Sequence, residues 1–479
     1  MAERMIPLPI GETHVNGNHK TPYPFQEKDI VFSMQHHTLN ASETGIGKSL
    51  IAIEAVLRHW QSGSTGPALV LCNKRAKEQW KQFILDQDPD AVIFVTGKSG
   101  RWPTDTKVKL RDLFHPRHNA WIIAHHAALS LPRDAEIRAA RAYRAPDEWR
   151  QYIWEWIIVD EAHRYKGKRS TRAIWLRTLD GLVKHGCSGT AIDKKPTEFW
   201  NVLNWMYPER FPSFWDFQKY YIGYDDKPRN LDVLARELAP VCIRRSKSDP
   251  DVAPDLPPLI QEYVPVPFGD GSVQALIYSK VANADDIEIR FVDGVPEWQL
   301  LVPNVLAKIV RLQQILTDAR LLGMEAETCK LDYVREYLED NPDDPMIVFT
   351  KFRDVAIHLA EEFKGALVVG GDSQEGLDDW LAGKKRLLFG TIASMGESLN
   401  LQRASTAIFV DHEWSTTKMK QAYDRIHRID IKEPKLLIHL HVPGTVDDMV
   451  LNTLQEKWTM QDMIWGFLKE HSSAIRDNA

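Results

Sequence analysis

Several features that define other classes of protein are scarce or missing in this sequence. Its 479 residues include only four cysteines, Cys72, Cys187, Cys242 and Cys329, which lie far apart and form no Cys-x-x-Cys pair. This spacing indicates neither a zinc ribbon nor a disulfide framework, so we expect a reducing compartment. No run of about eighteen apolar residues is present, so we expect no membrane span. The first residues lack the apolar segment of a secretory signal, and we therefore expect a cytoplasmic protein.

An excess of positive charge is also missing. The formal net charge is −6, whereas domains that coat nucleic acid are often basic overall. A local basic track remains compatible with this value, because salt screens charges that lie more than a Debye length apart. The chain is 43% hydrophobic and 26% charged, which is typical of a globular protein, and its length allows two or three domains.

A glycine-rich loop, Ala41–Ser49 (ASETGIGKS), is the most specific local motif. Its glycines let backbone N–H groups turn towards an anion, and the following helix directs its positive N-terminal end to the same point. Lys48 would reach the β- and γ-phosphates, and the Ser49 hydroxyl would hold Mg²⁺. Ser42 stands where the strict P-loop pattern has glycine, so an ordinary glycine-rich turn is the alternative. The residues expected to bind nucleotide here are Thr44, Gly45, Ile46, Gly47, Lys48 and Ser49.

The segment before this loop offers a candidate for recognition of the adenine base. Tyr23 and Phe25 precede Gln26, and an amphipathic helix follows. Gln26 could pair with the edge of adenine while an aromatic ring stacks on its face. A capped helix with an exposed glutamine is the alternative, and both interpretations stay open.

Strands and helices alternate after the loop. The segments Pro67–Cys72, Ala91–Val95 and Ala120–Ala124 have the composition of short buried strands, and Lys74–Leu85 that of a helix. Such alternation predicts a parallel sheet with crossover helices. Ligands of these sheets bind at the carboxyl ends of the strands, where the glycine-rich loop belongs.

Two carboxylates follow the next predicted strand. Glu155–Val159 leads directly into Asp160 and Glu161. Asp160 would hold Mg²⁺, and Glu161 would orient and deprotonate the attacking water. An Asp-Glu pair after a strand is also common in helix caps. Combined with a P-loop about 110 residues earlier, the pair predicts nucleotide hydrolysis.

Two groups of basic residues are candidates for phosphate contacts. The run Arg164–Arg172 directly follows the carboxylates, and a solvated face is its alternative. Its candidate nucleic-acid contacts are Arg164, Lys166, Lys168 and Arg169. Arg425 and Arg428 are three residues apart, so we expect them to share one helix face. They could reach across a cleft as arginine fingers, and a surface helix with salt bridges is the alternative.

Taken in order, these motifs resemble the superfamily 2 helicases, and in detail the Swi/Snf-type branch of double-stranded DNA translocases. The resemblance extends over roughly residues 22–452. Beside the P-loop, it rests on Asp160–Lys166, on Ser188-Gly189-Thr190, on the tryptophan-containing segment Leu69–Phe83, and on Arg244, Arg245 and Lys247 before Leu256-Pro257-Pro258.

The resemblance implies further site residues in the second half of the chain. Gln421, Arg425 and Arg428 match the arginine-finger element, in which we assign Gln421 to nucleotide binding. The segment Thr391–Leu401 is similar to the element that senses ATP and touches DNA, and Ser394 is its candidate DNA contact.

The implied fold is α/β, with two RecA-like parallel-sheet lobes in tandem and helical insertions between them. A second alternation of strands and helices after residue 344, without a P-loop of its own, agrees with this fold. The expected segments are an N-terminal arm (1–20), the ATP-binding lobe one (21–195), helical insertions and an interlobe linker (196–330), lobe two (331–452) and a C-terminal helix (453–479).

The sequence therefore predicts an enzyme that uses ATP and Mg²⁺ and couples ATP hydrolysis to movement along double-stranded DNA. Two alternatives stay open. One is a helicase that separates the strands of DNA or RNA, and the other is a nucleotide-gated interaction protein with little hydrolysis. The short chain without accessory modules favours a bacterial or phage origin.

Overall fold

The structure is a computed structural model that describes most of the chain. The predicted N-terminal arm and C-terminal helix lie largely outside the described residues, although residues 446–456 are helical. The described residues are 19–74, 76–96, 110–115, 117–129, 149–189, 197–221, 223, 229–252, 256–284, 288–290, 299–301, 305–369, 374–395, 399, 401–429 and 431–456.

The first lobe contains a sheet whose described strands all run parallel. Their spatial order is β3-β4-β2-β5-β6-β1-β7. The central strands are hydrophobic along nearly their whole length because helices cover both faces of the sheet. The strands are β1 (Thr38–Asn40), β2 (Ala68–Cys72), β3 (Ile93–Val95), β4 (Trp121–His125), β5 (Ile153–Val159), β6 (Asp180–Cys187) and β7 (Cys242–Ile243).

Helices of this lobe pack on both faces of the sheet and extend into the region after β6. Their apolar residues join two clusters of buried side chains, one on each face. The helices are α1 (Pro24–Gln35), α2 (Lys48–Gln61), α3 (Ala76–Gln87), α4 (Leu110–Phe114), α5 (Thr171–Leu176), α6 (Thr197–Met206), α7 (Phe214–Tyr221) and α8 (Leu231–Leu238), with 3₁₀ turns at His126–Leu129 and Ala162–Tyr165.

The second lobe repeats the arrangement with a smaller sheet. Its described strands are also parallel, in the order β12-β13-β11-β14-β15-β8. They are β8 (Leu259–Pro265), β11 (Met346–Thr350), β12 (Ala366–Val368), β13 (Leu387–Thr391), β14 (Thr406–Phe409) and β15 (Lys435–His441), while β9 (Glu288–Arg290) and β10 (Gln299–Leu301) form a separate antiparallel pair. The α/β fold class with two parallel-sheet lobes in tandem is thus confirmed.

Some of the helices associated with the second lobe precede β11 along the chain, and the later ones alternate with its strands. They are α9 (Val273–Asn283), α10 (Val305–Asp318), α11 (Cys329–Asp340), α12 (Arg353–Glu362), α13 (Gln374–Leu381), α14 (Ile392–Met395) and α15 (Thr416–Ile426), with a 3₁₀ turn at Ala319–Leu322. Of the helices that the structure describes, none has both the length and the apolar character needed to cross a bilayer.

Strands also occur in the segment 196–330, for which the sequence predicted only helices and a linker. β7 adds to the first sheet next to β1, and β8 forms an edge of the second sheet next to β15. The sequence pattern missed both for physical reasons. β7 has two residues, and β8 carries mostly exposed side chains, so neither produces a hydrophobic run. The domain boundaries remain predictions.

The strand β7 brings the arginine-rich linker beside the first lobe. Arg245 makes ion pairs with the fully buried Asp29 of α1 at 2.9 Å and with the half-exposed Asp251 at 3.0 Å. Removal of one member of a buried pair leaves an uncompensated charge. The linker is therefore held to the first helix by a contact whose loss would destabilise the folded protein.

We expect Asp29→Ala to lower the free energy of unfolding by about 3 kcal/mol, because it removes the buried carboxylate that accepts hydrogen bonds from Nε and Nη2 of Arg245. The control is Asp251→Ala, which removes the more exposed partner of the same arginine and should cost less than about 1 kcal/mol. The urea midpoints of the two variants provide the comparison. Equal midpoints would contradict the importance given to the buried pair.

Candidate active site between the two lobes

The glycine-rich loop connects β1 to α2 at the carboxyl edge of the first sheet. Gly45 and Gly47 have φ angles of 88° and 91°, a left-handed conformation that favours glycine. A Cβ atom on Gly47 would also collide with the Gln26 amide. The loop geometry therefore requires both glycines. Ser42, at the position where glycine was expected, is buried, and its hydroxyl accepts a hydrogen bond from the backbone of Arg245 at 3.0 Å.

Lys48 points back into its own loop. Its Nζ donates hydrogen bonds to the carbonyl oxygens of Ser42 and Glu43, each at 2.8 Å. Burial lowers the pKa of Lys48, although the charges of Glu161 and other nearby acids oppose that effect. The loop thus holds the ammonium group of Lys48 in its concavity, where phosphate oxygens would compete with the two carbonyl oxygens for the hydrogen bonds of that group.

Asp160 and Glu161 lie where β5 ends, next to this loop. Asp160 accepts hydrogen bonds from Trp80 Nε1 and from the backbone N–H of Glu161, both at 3.0 Å. The backbone φ angle of Glu161 is 49°, which is a strained, left-handed conformation for a residue with a side chain. Residues with such strain cluster at functional sites. Its Oε2 lies 3.2 Å from His163 Nδ1, which also lies 3.1 Å from the Ser188 hydroxyl.

The two carboxyl groups have pKa values that move in opposite directions. Burial and the neighbouring charge of Glu161 raise the pKa of Asp160. Burial would also raise the pKa of Glu161, but the hydrogen bond from His163 and the charges of His163, Lys48 and Arg425 outweigh burial and lower it. Glu161 is therefore the member of the pair that keeps its negative charge most firmly, as a proton acceptor requires.

The second lobe contributes two arginines to the same place. Arg425 lies in the last turn of α15 and is largely buried, and Arg428 approaches the glycine-rich loop near Gly45. The prediction that both share one helix face is wrong, because α15 ends at Ile426 and Arg428 lies beyond it. Both side chains nevertheless reach the site.

These groups surround one cavity of about 440 Å³ between the lobes. The predicted site residues that line it are Gln26, Thr44, Gly45, Gly47, Lys48, Ser49, Asp160, Glu161, Arg425 and Arg428. Within the described residues, the cavity wall does not include Ile46, which is buried beside Phe25 and Val252, or the half-buried Gln421. The structure therefore brings together most, though not all, of the predicted site.

Gln26 is positioned by two hydrogen bonds. Its Oε1 accepts from the backbone N–H of Tyr23, and its Nε2 donates to the carbonyl of Ile46, both at 2.8 Å. The side chain is buried, not exposed as the capped-helix alternative supposed, yet it does cap α1. It links the start of α1 to the glycine-rich loop at the wall of the cavity.

The residues around the glycine-rich loop fit a magnesium ion. The Ser49 hydroxyl and the Asp160 carboxylate line the same cavity, and hard oxygen atoms are the ligands that Mg²⁺ prefers. In the described part of the chain, no group of three or more His, Cys, Asp or Glu side chains could hold a metal by itself. A magnesium ion here would thus need the oxygen atoms of a bound phosphate as well.

The predicted nucleic-acid residues lie in two separate parts of the chain, one in each lobe. Lys166 pairs with Glu198 at 3.4 Å, Lys168 Nζ lies 3.6 Å from the ring centres of Phe214 and of Trp215, and Arg169 is exposed. Arg164 is half-buried in the 3₁₀ turn after Glu161. In the second lobe, the Ser394 hydroxyl donates to the carbonyl of Val368 at 2.9 Å. Their role in DNA binding stays a prediction.

Sequence reasoning missed residues whose importance depends on distant partners. Trp80 lies inside the predicted helix Lys74–Leu85 and was given no role of its own, yet its indole N–H donates a hydrogen bond to Asp160. Glu43 lies inside the motif but was given no role, although its carboxylate contacts the linker and α15. The sequence offered two signals: the indole N–H of Trp80, and the charge of Glu43, which lies inside the glycine-rich loop without an assigned role.

Two family models match the chain. The model of the SNF2-related domain matches residues 31–321, and the model of the helicase conserved C-terminal domain matches residues 329–430. The two matches follow one another along the chain and correspond in order to the two lobes.

Curated relatives align with nearly all of the chain at low identity. The ISWI chromatin-remodeling complex ATPase ISW1 of Saccharomyces cerevisiae is 22% identical over 94% of this chain and 41% of its own length. The Bacillus subtilis protein YwqA is 24% identical over 88% of this chain and 46% of its own length. The chain thus spans less than half the length of these relatives.

Among solved structures, the Sulfolobus solfataricus SWI2/SNF2 ATPase core in complex with dsDNA is 21% identical and aligns over 98% of this chain and 97% of that chain, with a TM-score of 0.45. The resemblance inferred from the motifs agrees with the two family models. Because the SNF2-related model alone matches more than half of the chain, this chain belongs to the SNF2-related family.

Proposed function

We propose that the chain is an ATP-hydrolysing motor that moves along double-stranded DNA. The observation that carries the proposal is one cavity between the lobes, whose wall combines the glycine-rich loop, a glutamate whose pKa is lowered and two arginines from the opposite lobe. ATP hydrolysis needs these three components, because it depends on positioning and on charge stabilisation. Membership of the SNF2-related family supports the choice of DNA as the track.

Each side chain of the cavity has a role in this proposal. Lys48 and the backbone of the loop hold the phosphates, and Glu161 accepts a proton from the attacking water. Ser49 and Asp160 would hold Mg²⁺, which neutralises charge on the phosphates when it is bound. Arg425 and Arg428 stabilise the charge that develops on the transferred phosphoryl group. Gln26 borders the base, and Gln421, in the preceding turn of α15, remains a proposed nucleotide contact.

The location of the site between two lobes suggests how hydrolysis would produce movement. Side chains from both lobes meet the same phosphates, so nucleotide binding favours one lobe separation and product release another. If both lobes hold the DNA backbone, alternation between these separations advances the protein. The contacts proposed for this are Arg164, Lys166, Lys168, Arg169 and Ser394. Backbone contacts make such binding dependent on salt and largely independent of sequence.

We also propose the segment boundaries and the cellular setting. Residues 21–195 and 331–452 would form the cores of the lobes, with the linker strands β7 and β8 added to them. The four cysteines are free thiols in the structure, which supports a reducing cytoplasm, and a bacterial or phage-infected cell is the proposed source.

The first test is the steady-state rate of ATP hydrolysis without nucleic acid and with duplex DNA, single-stranded DNA or RNA. The Lys48→Ala variant serves as the blank, because it removes the phosphate-binding ammonium group. We expect duplex DNA to give the strongest stimulation. Stimulation mainly by single strands or RNA would favour a strand-separating helicase. A rate equal to the blank under every condition would favour the nucleotide-gated interaction protein and contradict our proposal.

A further inference from the structure

The carboxylate of Glu43, in the glycine-rich loop, joins three parts of the chain. Its Oε1 accepts a hydrogen bond from Lys420 Nζ of α15 at 2.8 Å. Its Oε2 accepts from the backbone N–H of Lys247, in the linker, at 2.9 Å. Arg244 Nη2 lies 3.8 Å from the same carboxylate. The glycine-rich loop of lobe one is therefore bound directly to α15, the helix of lobe two that contains Arg425.

A second ion pair continues this contact. Lys247 Nζ pairs with Asp424 and donates a hydrogen bond to the carbonyl of His427. Lys247 and Asp424 are each 8% exposed, so water competes little for this pair. Since Lys420 and Asp424 are one helical turn apart, α15 is held at two successive positions on one face. Arg425 adjoins this face and reaches the cavity.

The position of the Glu43–Lys420 pair makes it stronger than a typical surface ion pair. The side chains of Glu43 and Lys420 are 15% and 26% exposed, whereas fully solvated pairs contribute little. Burial would raise the pKa of Glu43, but the charges of Lys420 and Arg244 and the hydrogen bonds from Lys247 and Lys420 hold it well below its usual range. The carboxylate therefore stays charged and keeps its partners at neutral pH.

We propose that Lys420 is a positioning residue, which holds α15 against the glycine-rich loop through Glu43 and so keeps Arg425 at the active site. The inference deepens the proposed function and rests on it. Lys420 is not among the described residues that line the cavity, so its effect passes through the helix.

The same loop residue also connects this contact with phosphate binding. The backbone carbonyl of Glu43 accepts from Lys48 Nζ, while its side chain accepts from Lys420. Phosphate that draws Lys48 away from that carbonyl would remove one of the hydrogen bonds made by the residue that holds α15.

The kinetic test compares Lys420→Met, which removes the charge and keeps much of the stem, with Lys420→Arg, which restores a charge. Lys418→Met is the matched control on the same helix, because Lys418 is exposed and pairs with Glu413 inside lobe two. We expect Lys420→Met to lower kcat about tenfold with the nucleotide Kd changed less than about twofold, and Lys420→Arg to recover most of the rate. Equal rates for Lys420→Met and Lys418→Met would overturn the proposal.

A double-mutant cycle tests whether Lys420 acts through Glu43. If it does, adding Lys420→Met to Glu43→Gln should lower kcat by less than about twofold beyond Glu43→Gln alone. Independent, multiplied losses would overturn the proposed route, whatever the size of each single effect. The cycle separates this route from any separate role of Glu43 in the loop.

A distance measurement decides the inference without any catalysis. Spin labels on cysteines introduced at the exposed residues Asp90 and Lys384, in a Cys329→Ser background, report the separation of the lobes without nucleotide. We expect Lys420→Met to lengthen or broaden the distance distribution and Lys418→Met to leave it unchanged. An unchanged distribution in Lys420→Met would overturn the inference. If the wild-type protein proves inactive, the proposed function fails while this measurement still decides the interlobe contact.

Discussion

Glu161→Gln is expected to lower the rate of ATP hydrolysis by about 10²–10⁴-fold, the contribution typical of a general base, while ATP binding is retained. The substitution keeps the size of the side chain and removes its ability to accept a proton. Burial alone would raise the pKa of Glu161, but the hydrogen bond from His163 and the charges of His163, Lys48 and Arg425 lower it, so the carboxylate is ionised at neutral pH and able to accept a proton. Single-turnover hydrolysis and equilibrium binding of a fluorescent ATP analogue, measured on the same preparation, separate the two effects.

The control for this prediction is the nucleotide affinity itself, since a misfolded cavity would lose binding and hydrolysis together. Asp160→Asn offers a second comparison at the adjacent position, where we expect weaker Mg²⁺-dependent binding instead. A Glu161→Gln variant that turns over ATP at the wild-type rate would remove Glu161 from the role of base.

Arg425→Ala is expected to lower kcat by about 10³–10⁵-fold, the range of an arginine finger. The guanidinium belongs to lobe two and reaches a cavity whose proposed phosphate-binding groups belong to lobe one. Arg425→Lys should recover little of the rate, because an ammonium group cannot reproduce the planar fork of donors. The measurement is kcat under saturating ATP with duplex DNA present.

The matched control is Arg353→Ala, which removes an exposed arginine at the start of α12 in the same lobe. We expect this variant to keep the wild-type kcat. A loss below about tenfold in Arg425→Ala would mean that Arg425 supports structure and that another group stabilises the transition state.

The parts of the site that sequence predicts well are those carried by a short contiguous segment. Lys48 and Ser49 follow two glycines, and Asp160 and Glu161 end a hydrophobic strand, so the local pattern alone fixes their neighbours. Parallel strands then align these segments at one edge of a sheet. The prediction for this half of the site depends only on short-range regularities, and the structure places these side chains around one cavity.

The parts that sequence reasoning missed depend on contacts between distant residues. Glu43 and Lys420 are 377 residues apart, and Trp80 and Asp160 are 80 apart. No periodicity in either segment encodes such a pairing. The prediction that Arg428 shares a helix face with Arg425 failed for a local reason. The C-cap residue His427 has an extended backbone, so the helix ends before the chain reaches Arg428.

The position of β7 also affects how the protein can be divided. A fragment ending at residue 195 would lack the strand that covers β1, so it would expose a free edge beside the glycine-rich loop. It would also leave Asp29 without Arg245. An expressible first half therefore has to extend through residue 252, because lobe one is completed by the segment of the chain that leads out of it.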